Sequence, residues 1–430
     1  MTAAHDSSDL SAPGRIEKFF VVLVLLLSTG AFFNLVMPSF QERTDASGLI
    51  VMQILWSVIY VVTLYLFFSK CQDRRGAISS IWPLAALCAF AFASVFWSDA
   101  PGLTFRRSVA LMLTLFFGMY FASRFSMKEQ LRLLAWTFGI GIAFSLPFGL
   151  LGLGASVDAE RNVPGWYGIF TQKNQLGYMM VLSTLVFLFW GRIEPAQRRL
   201  ARAALVASLV LLVLSRSMTA AVTIALLLVL LPYLRWTLQK KAGWMVAGIT
   251  SILAGGTGLL MYVATHLEQV TGMLGRSATL TGRVPLWILS VAVALRRPWL
   301  GYGYDAFWRP DDPVVQRIWQ LLHWQPPHAH NGLLELWLEI GLVGMGLFLL
   351  IFAHYLSGAL RFMRSDSGPA SAWPLLFFLF VFCANLTEPF FLARNSIYFI
   401  LYVATAAVTT TSRSESPSPV KTAVSQQRYA

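Results

Sequence analysis

AALVASLVLLVLSRSMTAAVTIALLLVLLPYL, residues 203–234, carries a single charge, Arg216, in 32 positions. As one helix it would run about 48 Å at about 1.5 Å per residue, against a hydrocarbon core of about 30 Å. The alternative is two helices with a turn at Ser215-Arg216-Ser217. Basic residues decide between them, because they collect in the cytoplasmic loops of membrane proteins. The segments after the second, fourth, sixth, eighth and tenth apolar spans carry Lys70/Arg74/Arg75, Arg124/Lys128/Arg132, Arg192/Arg198/Arg199/Arg202, Arg235/Lys240/Lys241 and Arg361/Arg364. All of them fall on one side only if the chain turns at Arg216. Without the turn, Lys240 and Lys241 land on the opposite side.

Composition points the same way. The chain has 430 residues, of which 57% are hydrophobic and 12% charged, and its mean hydropathy is +0.62. A water-soluble fold of this size needs more polar surface, so the pattern is that of a polytopic membrane protein. A net charge of +13 would suggest nucleic acid in a soluble protein. Here the cytoplasmic loops account for it, and no nucleic-acid partner is expected. Cys71, Cys88 and Cys383 show neither metal-ligand spacing nor an even extracellular set.

Spans of apolar residues lie near 18–38, 49–69, 80–97, 107–123, 132–153, 174–191, 200–215, 217–234, 243–265, 332–356, 373–387 and 395–412. They predict an all-α bundle of about 12 transmembrane helices. The first reads as an uncleaved helix rather than a signal peptide. Both termini are then cytoplasmic. Residues 1–411 form one integral membrane domain, and 412–430 form a polar, disordered cytoplasmic tail. The opposite face, periplasmic or exterior, receives 41–47, 97–107, 154–173, the Arg216 turn, the long 266–331 segment and 386–395.

That face holds the residues able to do chemistry. The long segment carries Arg276, Arg283, Arg296, Arg297, Arg309 and Arg317, and ends in HAHNGLLELWLEIGLVG (328–344). A loop this long, cationic and aromatic marks function. Four of the six histidines, His266, His323, His328 and His330, gather in or at it. Asn331 is placed to cap the helix that follows. Glu335 and Glu339 lie four apart and share a helical face with Asn331. Glu339 is roughly 12 Å deeper than His330 at 1.5 Å per residue and needs a partner. Arg216, between two apolar runs, is costly unless it meets an anion or water. LWILSVAVAL (286–295) is too short to span, and is expected to lie at the interface or fold back on the bundle. Trp287, Trp299, Tyr302, Tyr304, Phe307, Trp308, Trp319 and Trp324 follow. An aromatic belt accounts for several of them. Interleaved with arginine, they also suit a glycan pyrophosphate, since flat rings pack on sugar faces and guanidinium forks grip phosphate oxygens. No cysteine or tight His pair with carboxylate completes a metal site, and no external Asp-x-Asp would hold a metal-bound nucleotide sugar. Neither a metal nor a cofactor is expected.

From Ser94 to Asn395 the chain resembles the superfamily of O-antigen ligases and Wzy-type polysaccharide polymerases, and within it the ExoQ-like exopolysaccharide polymerases. The pieces are SVFWSDAPGLTFRRS (94–108), GIFTQKNQLG (168–177), SRSMTA (215–220), GRSATLTGRVPLW (275–287), RPWLGYGYDAFW (297–308), the HAHNG stretch (328–344) and NLTEPF (385–390). The resemblance implies a GT-C-like bundle with a large periplasmic loop between its ninth and tenth helices. The family's His, ten residues, Gly motif falls on His330 and Gly341. Its Arg with a Leu four later falls on Arg216, with Ala220 in place of the Leu. Its second phosphate-contacting arginine falls on Arg283, with Arg276 as rival. Its acidic residue in the last external loop falls on Glu388, Glu rather than Asp.

By resemblance, the activity is metal-independent, inverting transfer of a glycan from undecaprenyl pyrophosphate at the periplasmic face of a bacterial inner membrane. Arg216 and Arg283 would hold the pyrophosphate, and His330 would act on the acceptor hydroxyl. Arg276, Lys173, Asn331, His328, Glu339 and Glu388 would contact substrate. The acceptor is a growing exopolysaccharide, the lipid A core or a protein side chain, the first being favoured by the likeness to exopolysaccharide polymerases. The lipid bilayer and other polysaccharide export and chain-length proteins are further partners. A transporter or flippase is the reading of another class. It would need ionisable residues deep in several spans, and here Glu339 stands nearly alone. A purely structural membrane protein would not require the one-sided set of Arg, His and aromatic residues.

Overall fold

A computed structural model describes residues 12–33, 46–158, 163–238, 282–366 and 368–411. The expected ninth span (243–265), Arg276 with the start of the long loop, and the 412–430 tail lie outside the described residues. The described elements are α1 (Arg15–Ser28), α2 (Ala46–Lys70), α3 (Arg74–Ala93), α4 (Pro101–Arg124), α5 (Met127–Leu150), β1 (Ala155–Asp158), β2 (Val163–Trp166), α6 (Lys173–Ile193) and α7 (Arg198–Ser215). They continue with α8 (Met218–Leu238), α9 (Arg283–Ala294), α10 (Pro313–Leu322), α11 (Gly332–Ser365), α12 (Trp373–Asn385) and α13 (Ile397–Thr411). Among the described residues, six helices, namely α2, α3, α4, α5, α6 and α11, are long and apolar enough to cross a membrane. The chain is thus an all-α membrane protein. α12 is shorter than the span expected at 373–387, about 20 Å at 1.5 Å per residue.

Local chemistry sets the boundaries. α5 begins five residues before the apolar run expected from 132. Ser126 and Glu129 form a capping box there, each side chain taking up the other's backbone N–H. Asp73 caps α3 through Gly76 N–H, and Asp312 caps α10 ahead of Pro313. The 203–234 run breaks where the charge pattern required. α7 ends at Ser215, Arg216 takes a left-handed conformation (φ 52), and α8 starts at Met218. The 154–173 connection, expected as an irregular loop, contains an antiparallel hairpin pairing Ala155 with Trp166. The Trp166 ring seats against Gly149, where a Cβ would collide with it.

α6 is the central post, with 83% of its apolar window buried, against 28% for α2 at the periphery. It lies chiefly against α7, and also against α5 and α8. Most buried apolar residues form one core through the spanning helices. A second cluster stands apart from it. Leu286 and Val293 of α9, Phe307, Val315 and Ile318 of α10, and Leu338 of α11 pack together there. The described part of the segment before α11, residues 282–331, therefore has a core of its own, in which α9 lies against α10 and α11.

α11 is not one continuous ladder. Gly341 adopts φ 69 and ψ −177, a region essentially closed to side-chain-bearing residues. Two rungs open around it. The Leu338 and Glu339 carbonyls accept instead from Tyr302 and Gly303 N–H, at 2.8 and 2.9 Å. The Leu342 and Val343 N–H groups donate to the Pro298 and Trp299 carbonyls, at 2.8 and 3.2 Å. The 298–303 loop is spliced into the helix, and the four backbone groups of these two rungs find partners on it.

Candidate active site

Glu388, in the turn between α12 and α13, is 3% exposed and gathers three segments. Its Oε1 accepts from Arg283 at 2.9 Å and from Asn174 Nδ2 at 3.3 Å. Its Oε2 lies 3.2 Å from His330 Nδ1 and 3.8 Å from His328 Nε2. Burial alone would raise its pKa. The hydrogen bond from His330, and the charges of His330, His328 and Arg283, outweigh burial and hold the carboxyl below the usual glutamate range. An ionised carboxylate only accepts, so the proton of a neutral His330 sits on Nδ1 and the lone pair on Nε2. His328 is fixed in the opposite sense. Its Nδ1 accepts from His330 N–H at 3.2 Å, so in neutral form its proton is on Nε2, on the Glu388 side.

The turn carrying His330 is held at one residue, through both of its backbone polar groups. Ala329 is fully buried. Its N–H donates to Glu335 Oε2 at 2.7 Å, and its carbonyl accepts from Trp287 Nε1 at 2.9 Å. Glu335 also accepts from Trp308 Nε1 at 3.2 Å. Asn331 takes the expected cap role, accepting from Leu333 and Leu334 N–H at 3.1 Å each. His330 itself is left-handed, φ 49. α9 thus contributes twice, Arg283 to the carboxylate and Trp287, one turn on, to the turn.

Arg216 lies at the same end of the bundle. Ser217, its neighbour, donates to Asn174 Oδ1 at 3.0 Å, and Asn174 in turn reaches Glu388. The Arg216 side chain is exposed and has no ion-pair partner among the described residues. Ala220, at the position of the family Leu, packs in a tight helix crossing. A Cβ at Gly177 would come within 2.9 Å of it, so the small residue serves the contact of α6 with α8. Lys173 opens α6 beside Gly165 and the Ser215 carbonyl.

Glu339, expected among the substrate contacts, lies in a different cluster. Arg107 and the Asp305 backbone face it, and Asp305 bridges Arg107 and Arg394, 3.0 and 2.8 Å away. Asn174, Trp287 and Trp308 were not singled out from sequence as site residues. Asn174 stood in the quoted GIFTQKNQLG piece, while the two tryptophans were indistinguishable from a membrane belt. His328, His330 and Glu388 each offer a ligand atom within 4.8 Å of one another, a set able to hold a divalent ion. The Arg283 guanidinium on the same carboxylate supplies a fixed competing cation.

Comparison with known proteins finds a family match over part of the chain and a few relatives. A family described as O-antigen ligase matches residues 203–349, which include Arg216, Arg283, His330 and Gly341. The exopolysaccharide production protein ExoQ of Rhizobium meliloti (strain 1021) is 26% identical over 304 residues, 68% of each chain. A Rickettsia prowazekii (strain Madrid E) protein, whose name marks it as a candidate polysaccharide ligase, is 25% identical over 142 residues, 28% of this chain and 35% of that one. Its counterpart in Rickettsia typhi (strain ATCC VR-144 / Wilmington) is 24% identical over the same length. Residues 203–349 thus match a family described as O-antigen ligase, and 68% of the chain is similar to the exopolysaccharide production protein ExoQ.

Proposed function

We propose that the protein is a metal-independent, inverting glycosyltransferase. It takes a glycan from undecaprenyl pyrophosphate at the periplasmic face of a bacterial inner membrane and extends an exopolysaccharide. The observation that carries this reading is the Glu388 hub. One ionised carboxylate orients a cation, Arg283, and a histidine, His330, whose outward nitrogen is a base. The acceptor hydroxyl oxygen attacks the anomeric carbon while its proton passes to His330 Nε2. The bond from the anomeric carbon to the pyrophosphate oxygen breaks, and its electron pair leaves with the pyrophosphate. Arg283 and Arg216 stabilise the charge that collects there. Lys173 adds to the same field, and Asn331 and His328 line the acceptor side. Arg276 remains the rival second arginine. Both termini are cytoplasmic in this reading, with other polysaccharide export and chain-length proteins as partners.

The test is metal-free reconstitution with a defined lipid-pyrophosphate oligosaccharide, reading out a longer lipid-linked chain. Arg216→Ala and His330→Ala abolish the product while leaving protein level and membrane insertion intact. Normal polymer from both variants would sink the reading. The family description favours a second acceptor, the lipid A core. Supplying that core in the same assay separates ligation from polymerisation.

A further inference from the structure

α10 and the chain after it border an open surface cavity of about 350 Å³, lined by Gln316, Trp319, Gln320, His323, Trp324 and Gln325. Its volume lies in the range of ligand sites, about 300–1,000 Å³. The lining is unusual for a loop this basic, because no Arg, Lys, Asp or Glu contributes to it. Two indoles supply flat apolar faces, and three primary amides each supply a donor and an acceptor. Gln316 spends one N–H on the Pro310 carbonyl at 2.8 Å, which leaves its amide oxygen for a ligand. The Trp319 N–H is taken by the Pro326 carbonyl at 3.1 Å, which fixes its ring as part of the wall. Gln320, His323 and Gln325 are exposed. The Trp324 ring lies between this cavity and the site, with its centroid 5.8 Å from that of His330.

We infer that this cavity is a subsite for a neutral sugar residue of the glycan. A pyranose presents apolar C–H faces and a rim of hydroxyls that donate and accept at once. Indole faces match the first, and carboxamides match the second. A pyrophosphate would need cations, and those stand outside the cavity at Arg283 and Arg216. The assignment rests on the proposed glycosyl transfer for its biological meaning. It covers donor and acceptor alike, since either glycan presents the same rings next to His330.

The test uses the full-length protein in detergent and the double variant Gln320→Ala/Gln325→Ala, both positions being exposed. The probe is a set of neutral oligosaccharide fragments cut from the source strain's own polysaccharide, titrated by calorimetry. Saturable binding to the wild type, weakened about tenfold in the variant, is the expected result. In reconstituted transfer, KM rises for whichever glycan occupies the cavity, which tells donor from acceptor. No saturable binding, equal binding by both proteins, or a loss of kcat with both KM values intact would each overturn the subsite. Binding lost in the variant, with no transfer by the wild type, keeps the subsite and removes the transferase reading instead.

Discussion

Glu388→Gln separates the two jobs assigned to the hub. The substitution keeps size and leaves one oxygen for Arg283 and Asn174, now 2.9 and 3.3 Å from Oε1. The other end becomes an NH2 group facing His330 Nδ1, where the carboxylate oxygen stood at 3.2 Å. A donor then meets a donor. His330 relieves the clash by carrying its proton on Nε2 instead, so the outward nitrogen loses its lone pair. General base catalysis contributes about 10²–10⁴-fold, so kcat falls by that factor, about 2.7–5.5 kcal/mol at about 1.36 kcal/mol per decade. The fold suffers separately. Arg283 is 14% exposed and loses its counter-charge while keeping a hydrogen bond. Breaking a fully buried pair costs about 3–5 kcal/mol, so the cost here sits at or below the lower end of that range. Single-turnover transfer in proteoliposomes reads the first effect, a melting curve reads the second, and ¹⁵N shifts of labelled histidine report the tautomer. A variant whose kcat stays within about threefold of wild type refutes the base assignment.

Gly341→Ala forces a side chain into the Trp299 carbonyl at a conformation costing about 1–3 kcal/mol. The amides of Leu342, Val343, Tyr302 and Gly303 should lose protection in hydrogen exchange, and wild-type protection would contradict the spliced ladder. Glu335→Ala orphans the buried Ala329 N–H, a penalty of about 1–3 kcal/mol. Transfer should fall more than the melting temperature suggests, because the lost bond orients His330. Trp287→Phe orphans the buried Ala329 carbonyl and should also cost about 1–3 kcal/mol, and a larger loss than from Glu335→Ala, which orphans both the Ala329 N–H and Trp308 Nε1, would reverse the ranking. Acid sensitivity follows from Glu388, whose pKa is lowered in the fold. Its stabilisation is fully present above the ordinary glutamate value of about 4.3 and is lost as pH falls below that through the folded value. Melting temperatures of wild type and Glu388→Gln should converge in acid, and parallel curves would count against the shift.

Much of this was legible in the chain because membranes restrict what a sequence can mean. The break at Arg216 followed from helix length and from the side on which basic residues must fall. Asn331 was legible because capping is a local matter of one side chain and two amides. The partners of Glu388 were not, since Asn174, Arg283 and His330 come from three separate segments, Asn174 lying 214 residues before Glu388. Periodicity says nothing about such meetings. The neighbours of Glu339 were illegible for the same reason. Its depth on the helix was right, but Arg107 and Asp305 approach it from other segments. The hairpin at 155–166 has strands of four residues, too short for alternation to rise above noise.

The splice at Gly341 makes α11 two mechanical bodies. Gly332–Ile340 is bonded to the 298–303 loop by its carbonyls, and Trp337 adds a further tie to the Pro298 carbonyl at 3.1 Å. Leu342–Ser365 stays with the spanning helices. The two meet at Gly341, whose backbone breaks the helical run. A load placed on the loop, such as a long glycan settling on it, is therefore shared by both halves of α11, since the Pro298 and Trp299 carbonyls hold the Leu342 and Val343 N–H groups of the lower half.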